Sequence, residues 1–340
     1  MKSMRIEHSV SLKPFNTFGV DVVASHYAEA VSVDEIRAAL AWADQRSLRA
    51  IILGGGSNIL FTDNPDALVL RIALKGVAFR DLEHGKALVT AAAGENWPDL
   101  VWRAVAEGYG GIENLSLIPG TAGAAPVQNI GAYGVEFCDV CDHVAALNRT
   151  SGEVREFSAS ECEFGYRDSF FKRHPEEWVV CGASMVLDRF APLKTNYGAL
   201  DEQLAELDRP PCHADVAKAV ATIRRAKLPA PEDTGSAGSF FKNPAVPLAL
   251  YQRLLDEHPS MPGFDQGDGT VKLSAAWLID TAGWKTRSAA NVGCYSTQPL
   301  VLVNLGSATG REILEFSEAI QEDVFERFGV TLEREAVIYP

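Results

Sequence analysis

The stretch LIPGTAGAAPVQNIGAYG, residues 117–134, decides how this chain is read. From Gly120 to Gly134, eight of fifteen residues are Gly or Ala, and the polar ones are Thr121, Gln128 and Asn129. Small residues let a backbone come close to another surface. The composition suits main chain wrapped against a flat or phosphorylated ligand. Close helix–strand packing uses the same residues. A second glycine segment, GGGSN at 54–58, leaves the apolar run RAIIL. Two separate glycine segments favour one large cofactor over a small one.

GGGSN resembles part of a dinucleotide fingerprint but fails as one. Ile59 stands where a third glycine belongs, and the Gly-Lys-Ser/Thr of a P-loop is missing. Ile59, Leu60, Phe61 and soon Pro65 leave no room for a helix, so a pyrophosphate site on a helix N-terminus is not expected. The amides of the turn can form a phosphate nest, or the turn can simply join two strands.

Around these segments the pattern is mixed. Ser32 and Glu35 form a capping box, and Ile36, Ala39, Leu40 and Ala43 recur at helical spacing, so a helix runs to about Arg46. RAIIL and ALVLRI read as strands, giving a β-α-β-like opening. Asn96 caps a helix that stops at Gly108. Strands flank RTSGE, another covers EWVVCGASMVL, and DVAKAVATIRRAK is helical up to Pro229. The pattern changes after LPAPEDTG, with a boundary near residues 227–231. Helices follow near 248–255 and 274–281, then the strand PLVLVN. A helix opens on the Thr309/Glu312 box and ends at Gly329, and VTLEREAVIY returns as a strand.

The chain has 340 residues, enough for about two to three domains. Its 31 Lys+Arg against 45 Asp+Glu give a net charge of -14, which argues against a nucleic-acid binder. No apolar run of about 18 residues marks a membrane span, and the first twenty residues lack the apolar core of a signal peptide. A cytoplasmic protein with six reduced cysteines is expected. Cys138 and Cys141 form a C-x-x-C, but no second pair or histidine pair completes a zinc site, so no metal is expected. The cluster RRAK, 224–227, can hold a diphosphate or complement a helix end.

GSAGSFFKNP, 235–244, suggests a serine nucleophile with Lys242 as base. The order around Ser239 fails the nucleophile elbow, and the Lys-Thr-Gly of a β-lactamase-like enzyme occurs nowhere. Ser-Phe-Phe-Lys also occurs twice, at 169–172 and 239–242, which weakens the match.

Taken together, NTFG (16–19), GGGSN, IPGTAGAAPVQNIGAYG, FGYRDS (164–169), KLP (227–229), GSFFKNP and LEREAVIY closely resemble, in order, the UDP-N-acetylenolpyruvoylglucosamine reductases. The resemblance runs from about residue 11 to the C-terminus. It implies an α+β fold of the vanillyl-alcohol-oxidase-like FAD-binding type. One FAD-binding unit would cover 1–72, with 331–340 returning to it, and a second 73–226. A substrate domain would cover 227–330. FAD would be reduced by NADPH and would reduce the enolpyruvyl double bond of UDP-N-acetylglucosamine enolpyruvate to UDP-N-acetylmuramate, in peptidoglycan precursor synthesis. A monomer with no nucleic-acid or membrane partner is expected. KTNYGAL, with Tyr197, resembles the longer-loop subgroup.

The resemblance carries residue roles. Arg167 would bind the substrate carboxylate, and its planar fork suits one. Ser239 would protonate the second carbon, and Glu335, in its protonated form, would donate a hydrogen bond to the enolate. Glu335 is preferred to Glu333, which faces the opposite side of a strand. Lys242, Lys227 or a relayed water would assist Ser239. FAD contacts would come from Gly54, Gly55, Gly56, Ser57, Asn58, Pro119, Gly120, Thr121, Gln128, Asn129, Ile130, Gly131, Ala132 and Gly134. Substrate contacts would come from Tyr133, Tyr197, Arg224, Lys227, Asn243, Lys285 and Gln298. Phe264 stands where some relatives have tyrosine. The competing readings are an FAD oxidase of another alcohol or sugar, and a nucleotide-sugar sensor without catalysis.

Overall fold

The computed structural model of the chain describes residues 4–230 and 233–340. Pro231, at the end of the expected boundary, lies outside them. The described residues form two compact units. Unit 1 comprises 4–10, 24–56 and 66–226; unit 2 comprises Ser11–Val23, Ser57–Pro65 and the described part of 227–340.

In unit 1, strands β1 (Glu7–Ser11), β2 (Val23–Ala30), β3 (Ala50–Leu53) and β4 (Leu68–Ile72) form a sheet in the order β1-β2-β4-β3. β4 runs parallel to both β2 and β3. Parallel neighbours need a crossover, and helix α1 (Val33–Asp44) supplies it between β2 and β3. The Ser32 hydroxyl accepts from Glu35 N, and the buried stripe is Ile36, Ala39, Leu40 and Ala43, as the spacing predicts. Each large side chain so buried contributes about 1.5–3 kcal/mol.

An antiparallel sheet follows: β5 (Val77–Asp81), β6 (Lys86–Ala92), β7 (Cys141–Asn148), β8 (Val154–Ser158) and β9 (Trp178–Asp188), in the order β8-β7-β9-β6-β5. β9 is buried over most of its length, which its continuous apolar run requires. Helix α2 (Trp97–Ala106) turns Trp97, Leu100, Val101 and Ala104 into the same core. Asn96 caps it by accepting from Asp99 N at 3.0 Å. Helix α3 (Ala124–Gln128) lies within the Gly/Ala stretch, and α4 (His213–Lys227) ends the unit.

In unit 2, β10 (Gly235–Ser239) pairs antiparallel with β12 (Gln298–Asn304), which also pairs with β11 (Val292–Tyr295). Helix α5 (Ala275–Thr281) lies between these strands in sequence. Helix α6 (Gly310–Phe328) carries the expected Thr309/Glu312 capping box and ends on left-handed Gly329. GSAGS forms a strand despite its two glycines. One expectation changes here. VTLEREAVIY was read as one long strand. Only β13 (Val337–Tyr339) is laddered, in parallel with Ile59–Phe61, while Arg334 makes an isolated bridge to Phe241. The segment thus meets two different partners, which interrupts a single ladder.

GGGSN is therefore no hairpin turn. The strand after it, Ile59–Phe61, pairs with β13 and not with β3. Among the described residues, no helix is long and apolar enough to cross a membrane.

Candidate functional site

Within unit 1 the two glycine segments touch. A Cβ on Gly55 would lie 2.9 Å from Gly120 Cα, and one on Gly54 would lie 2.9 Å from Thr121 Oγ1. At Gly55, which faces main chain, only bare backbone fits. The 120–123 segment is also threaded along the start of α2. Trp97 N donates to Gly120 O, Ala122 N to Glu95 O, and Gly123 N to Ala93 O. This cradle, which a side chain at Gly55 would obstruct, fits a large phosphorylated cofactor held by main chain. Ser57 and Asn58 belong to unit 2, where Asn58 Nδ2 donates to Glu335 O at 3.2 Å.

Asn129 is left-handed (φ 42°) and closes α3. It is fully buried. Its Nδ2 donates to Glu136 Oε2 at 3.1 Å and to Gly165 O at 3.0 Å, and its Oδ1 accepts from Cys138 N at 3.0 Å. The side chain is engaged inside the protein, so a cofactor contact there falls to its main chain.

Arg167 sits in the turn Gly165–Asp168, where Asp168 N donates to Gly165 O at 3.1 Å. Its φ of 53° is left-handed, a state costing a non-glycine residue about 1–2 kcal/mol. Its Nη2 donates to Gly131 O at 2.6 Å, and Nη1 lies 3.7 Å from Glu136 Oε1. Tyr133 is also left-handed, at φ 49°. Strain of this kind gathers where surroundings over-determine the backbone, often at functional sites.

RRAK divides. Arg225 is exposed, while Arg224 turns inward and its buried Nε finds no hydrogen-bond partner among the described residues. Burial lowers the Arg224 pKa, Tyr133 opposes that, and the nearby charge of Arg167 adds to it. Burial raises the Tyr133 pKa, with Arg224 opposing and Tyr197 adding. The Tyr133 and Tyr197 rings meet edge to face at 5.7 Å, and Tyr197 is otherwise exposed. Two guanidiniums and two phenols thus gather around the 131–134 turn, an arrangement suited to an anionic ligand.

Sequence reading missed the groups that hold this turn. Asn114, 1% exposed, donates from Nδ2 to Tyr133 O at 2.9 Å and Lys194 O at 2.8 Å, which ties the Tyr197 loop to the turn. Buried Glu113 pairs with His213 Nδ1 at 3.0 Å and anchors α4. Neither pairing has a local sequence signal, since the partners lie 19 to 100 positions apart.

In unit 2, Ser239 ends β10 just after Gly238, whose φ of 68° belongs to a bulge in the pairing with β12. Gly238 is needed because an L side chain resists that φ. Gly235 serves close packing, for a Cβ there would lie 2.1 Å from Phe18 O. Glu335 N donates to Phe240 O at 2.8 Å, which brings Glu335 next to the end of β10. Glu333 points elsewhere and takes Lys242 Nζ at 2.9 Å. Lys242, one of the groups expected to assist Ser239, is thus committed to Glu333.

The remaining contacts are spread out. Asn243 Oδ1 accepts from Ala275 N at the start of α5, and Lys285 Nζ lies 3.2 Å from Asp280 in its last turn. Ala275 and Asp280 are five residues apart, about 7.5 Å along the helix, so the two contacts suit different parts of an extended ligand. Lys227 O accepts from Thr297 Oγ1, beside Gln298. Phe264 is 60% exposed. All six cysteines are free thiols, and among the described residues no group of His, Cys, Asp or Glu is set to hold a metal.

Comparison with known proteins bears on both units. Residues 24–158 match a model described as an FAD binding domain. Residues 230–339 match the C-terminal domain of UDP-N-acetylenolpyruvoylglucosamine reductase. The chain is 47% identical over 334 residues to the protein of that name from Pseudomonas fluorescens, covering 98% of each. It is 47% identical over 338 residues to that of Pseudomonas aeruginosa, covering 99% of this chain and 100% of the relative. A crystal structure of the reductase from Thermus caldophilus superposes with a TM-score of 0.69 at 25% identity, covering 99% of this chain and 100% of that one.

Proposed function

Since this chain belongs to the UDP-N-acetylenolpyruvoylglucosamine reductase family and is an FAD-binding oxidoreductase of mixed α+β fold, we propose that it reduces UDP-N-acetylglucosamine enolpyruvate to UDP-N-acetylmuramate with NADPH. The setting would be peptidoglycan precursor synthesis by a cytoplasmic monomer. Gly54, Gly55, Gly56, Ser57, Asn58 and the 119–134 segment would hold FAD. Bound FAD supplies the relay that carries a hydride from NADPH to the terminal vinyl carbon.

The chain's own residues handle the charge and the second proton. As hydride arrives, negative charge develops at the neighbouring carbon and its carboxylate. Arg167 binds that carboxylate through its fork, and Glu335 in protonated form donates a hydrogen bond to the developing enolate. Ser239 gives its hydroxyl proton to the neighbouring carbon, completing the saturated lactyl ether. With Lys242 engaged by Glu333, reprotonation of Ser239 falls to Lys227 or solvent. Arg224, Lys227, Asn243, Lys285 and Gln298 bind the nucleotide sugar, and Tyr133 and Tyr197 cover it.

The observation that supports this reading is the main-chain bond from Glu335 N to Phe240 O, which ties the backbone of the proposed acid to the residue after the proposed proton donor. The test is an anaerobic one. Purified protein should be yellow, NADPH should bleach the flavin, and the enolpyruvyl nucleotide sugar should restore its colour with one lactyl product formed per flavin. Restoration by oxygen alone, with no sugar product, would defeat the proposal and favour an oxidase.

A further inference from the structure

The first Ser-Phe-Phe-Lys copy, 169–172, has no part in the chemistry above, yet it lies against both the Gly/Ala segment and Arg167. Ser169 caps the short helix Phe170–Arg173 by accepting from Lys172 N, and its hydroxyl donates to Val127 O at 2.8 Å. Lys172 Nζ then donates to Arg167 O at 2.9 Å and to Gln128 Oε1 at 2.8 Å. Asn129 to Gly165 O and Arg167 to Gly131 O cross the same seam. Of these bonds, only that from Lys172 grips the main-chain carbonyl of Arg167 itself. An ammonium with three donors can hold both acceptors at once. The left-handed backbone of Arg167 needs such restraint.

We propose that Lys172 is a positioning residue for Arg167. It locks the arginine turn to the Gly/Ala segment so that the guanidinium is aimed at the substrate carboxylate. This rests on the role given to Arg167 above. Lys172 itself touches neither substrate nor reacting atoms.

The test uses FAD-loaded holoenzyme carrying Lys172→Met, which keeps the aliphatic stem and removes the donors. Calorimetry compares two ligands: UDP-N-acetylmuramate, which has the carboxylate, and UDP-N-acetylglucosamine, which lacks it. Affinity for the first should fall about 10- to 100-fold, the scale set by roughly ångström misplacement. Affinity for the second, FAD content and flavin reduction by NADPH should stay within about twofold of wild type. Lys172→Arg should recover most of the loss. Unchanged affinity for both ligands, or equal weakening of both, overturns the proposal, as does equal slowing of both half-reactions. Should Lys172→Met not fold, Lys172→Gln carries the same comparison. Arg167→Lys is the reference. If it leaves affinity for the carboxylate ligand unchanged, the role of Arg167 is wrong. Hydrogen exchange at the Asp168 amide, bonded to Gly165 O, then decides the strap alone. Faster exchange in Lys172→Met supports it, and unchanged exchange overturns it.

Discussion

Replacing Gly55 with Ala should open the cofactor cradle. The new Cβ would lie 2.9 Å from Gly120 Cα and 3.4 Å from Gly120 C, both main-chain atoms. Neither can rotate away, so the two segments must part by about half an ångström to reach ordinary contact. Overpacking of this kind costs about 1–3 kcal/mol. If the cost falls on the FAD-bound state, affinity drops about 5- to 150-fold. Gly54→Ala is the internal control. Its Cβ meets Thr121 Oγ1 at 2.9 Å, a side-chain atom that can turn aside, so its effect should be smaller. The assay is quenching of FAD fluorescence on titration with apoprotein, beside thermal melts with and without FAD. Wild-type affinity in Gly55→Ala, or a larger loss in Gly54→Ala, would refute the argument that backbone contact between these segments shapes the site.

Ser239→Ala should slow reduction of the enolpyruvyl sugar by about 10²- to 10⁴-fold while leaving flavin reduction by NADPH intact; stopped-flow half-reactions separate the two, and equal slowing would remove the proton-donor role. Hydrogen bonding to Glu113 raises the His213 pKa above 6.5. The pair therefore stabilises the fold fully below about pH 6.5 and ceases to do so as pH rises through the raised value. Wild type should exceed His213→Gln by about 1.5–3 kcal/mol in acidic melts and lose that margin in alkaline ones; a margin independent of pH would contradict the charged pair. Alkylation near neutral pH should modify exposed Cys212 first, since burial pushes Cys181 up to about 11 and Cys294 up to about 12. Peptide mapping showing Cys294 ahead of Cys212 would overturn that order.

Local chemistry was legible from the sequence alone. Ser32, Asn96 and Thr309 cap helices as their neighbours require, because a cap involves residues three apart. Stripes such as Ile36, Ala39, Leu40 and Ala43 announce their buried face through periodicity. The two glycine segments could be read in advance as serving one large ligand, but their contact with each other could not.

What tertiary structure decided was partnership at a distance. Ser-Phe-Phe-Lys has one local chemistry and two fates. At 169–172 it follows the Gly165–Asp168 turn and becomes a capped helix whose lysine reaches Arg167. At 239–242 it follows the bulge at Gly238 and ends a strand, with both phenylalanines buried and the lysine held by Glu333. The strand Ile59–Phe61 takes a partner 278 positions away, and Glu113 finds His213 across 100. Propensity and capping act over a few residues, so sequence fixes them directly. Which distant backbone satisfies a free strand edge, a buried carboxylate or a strained turn depends on how all the elements pack together.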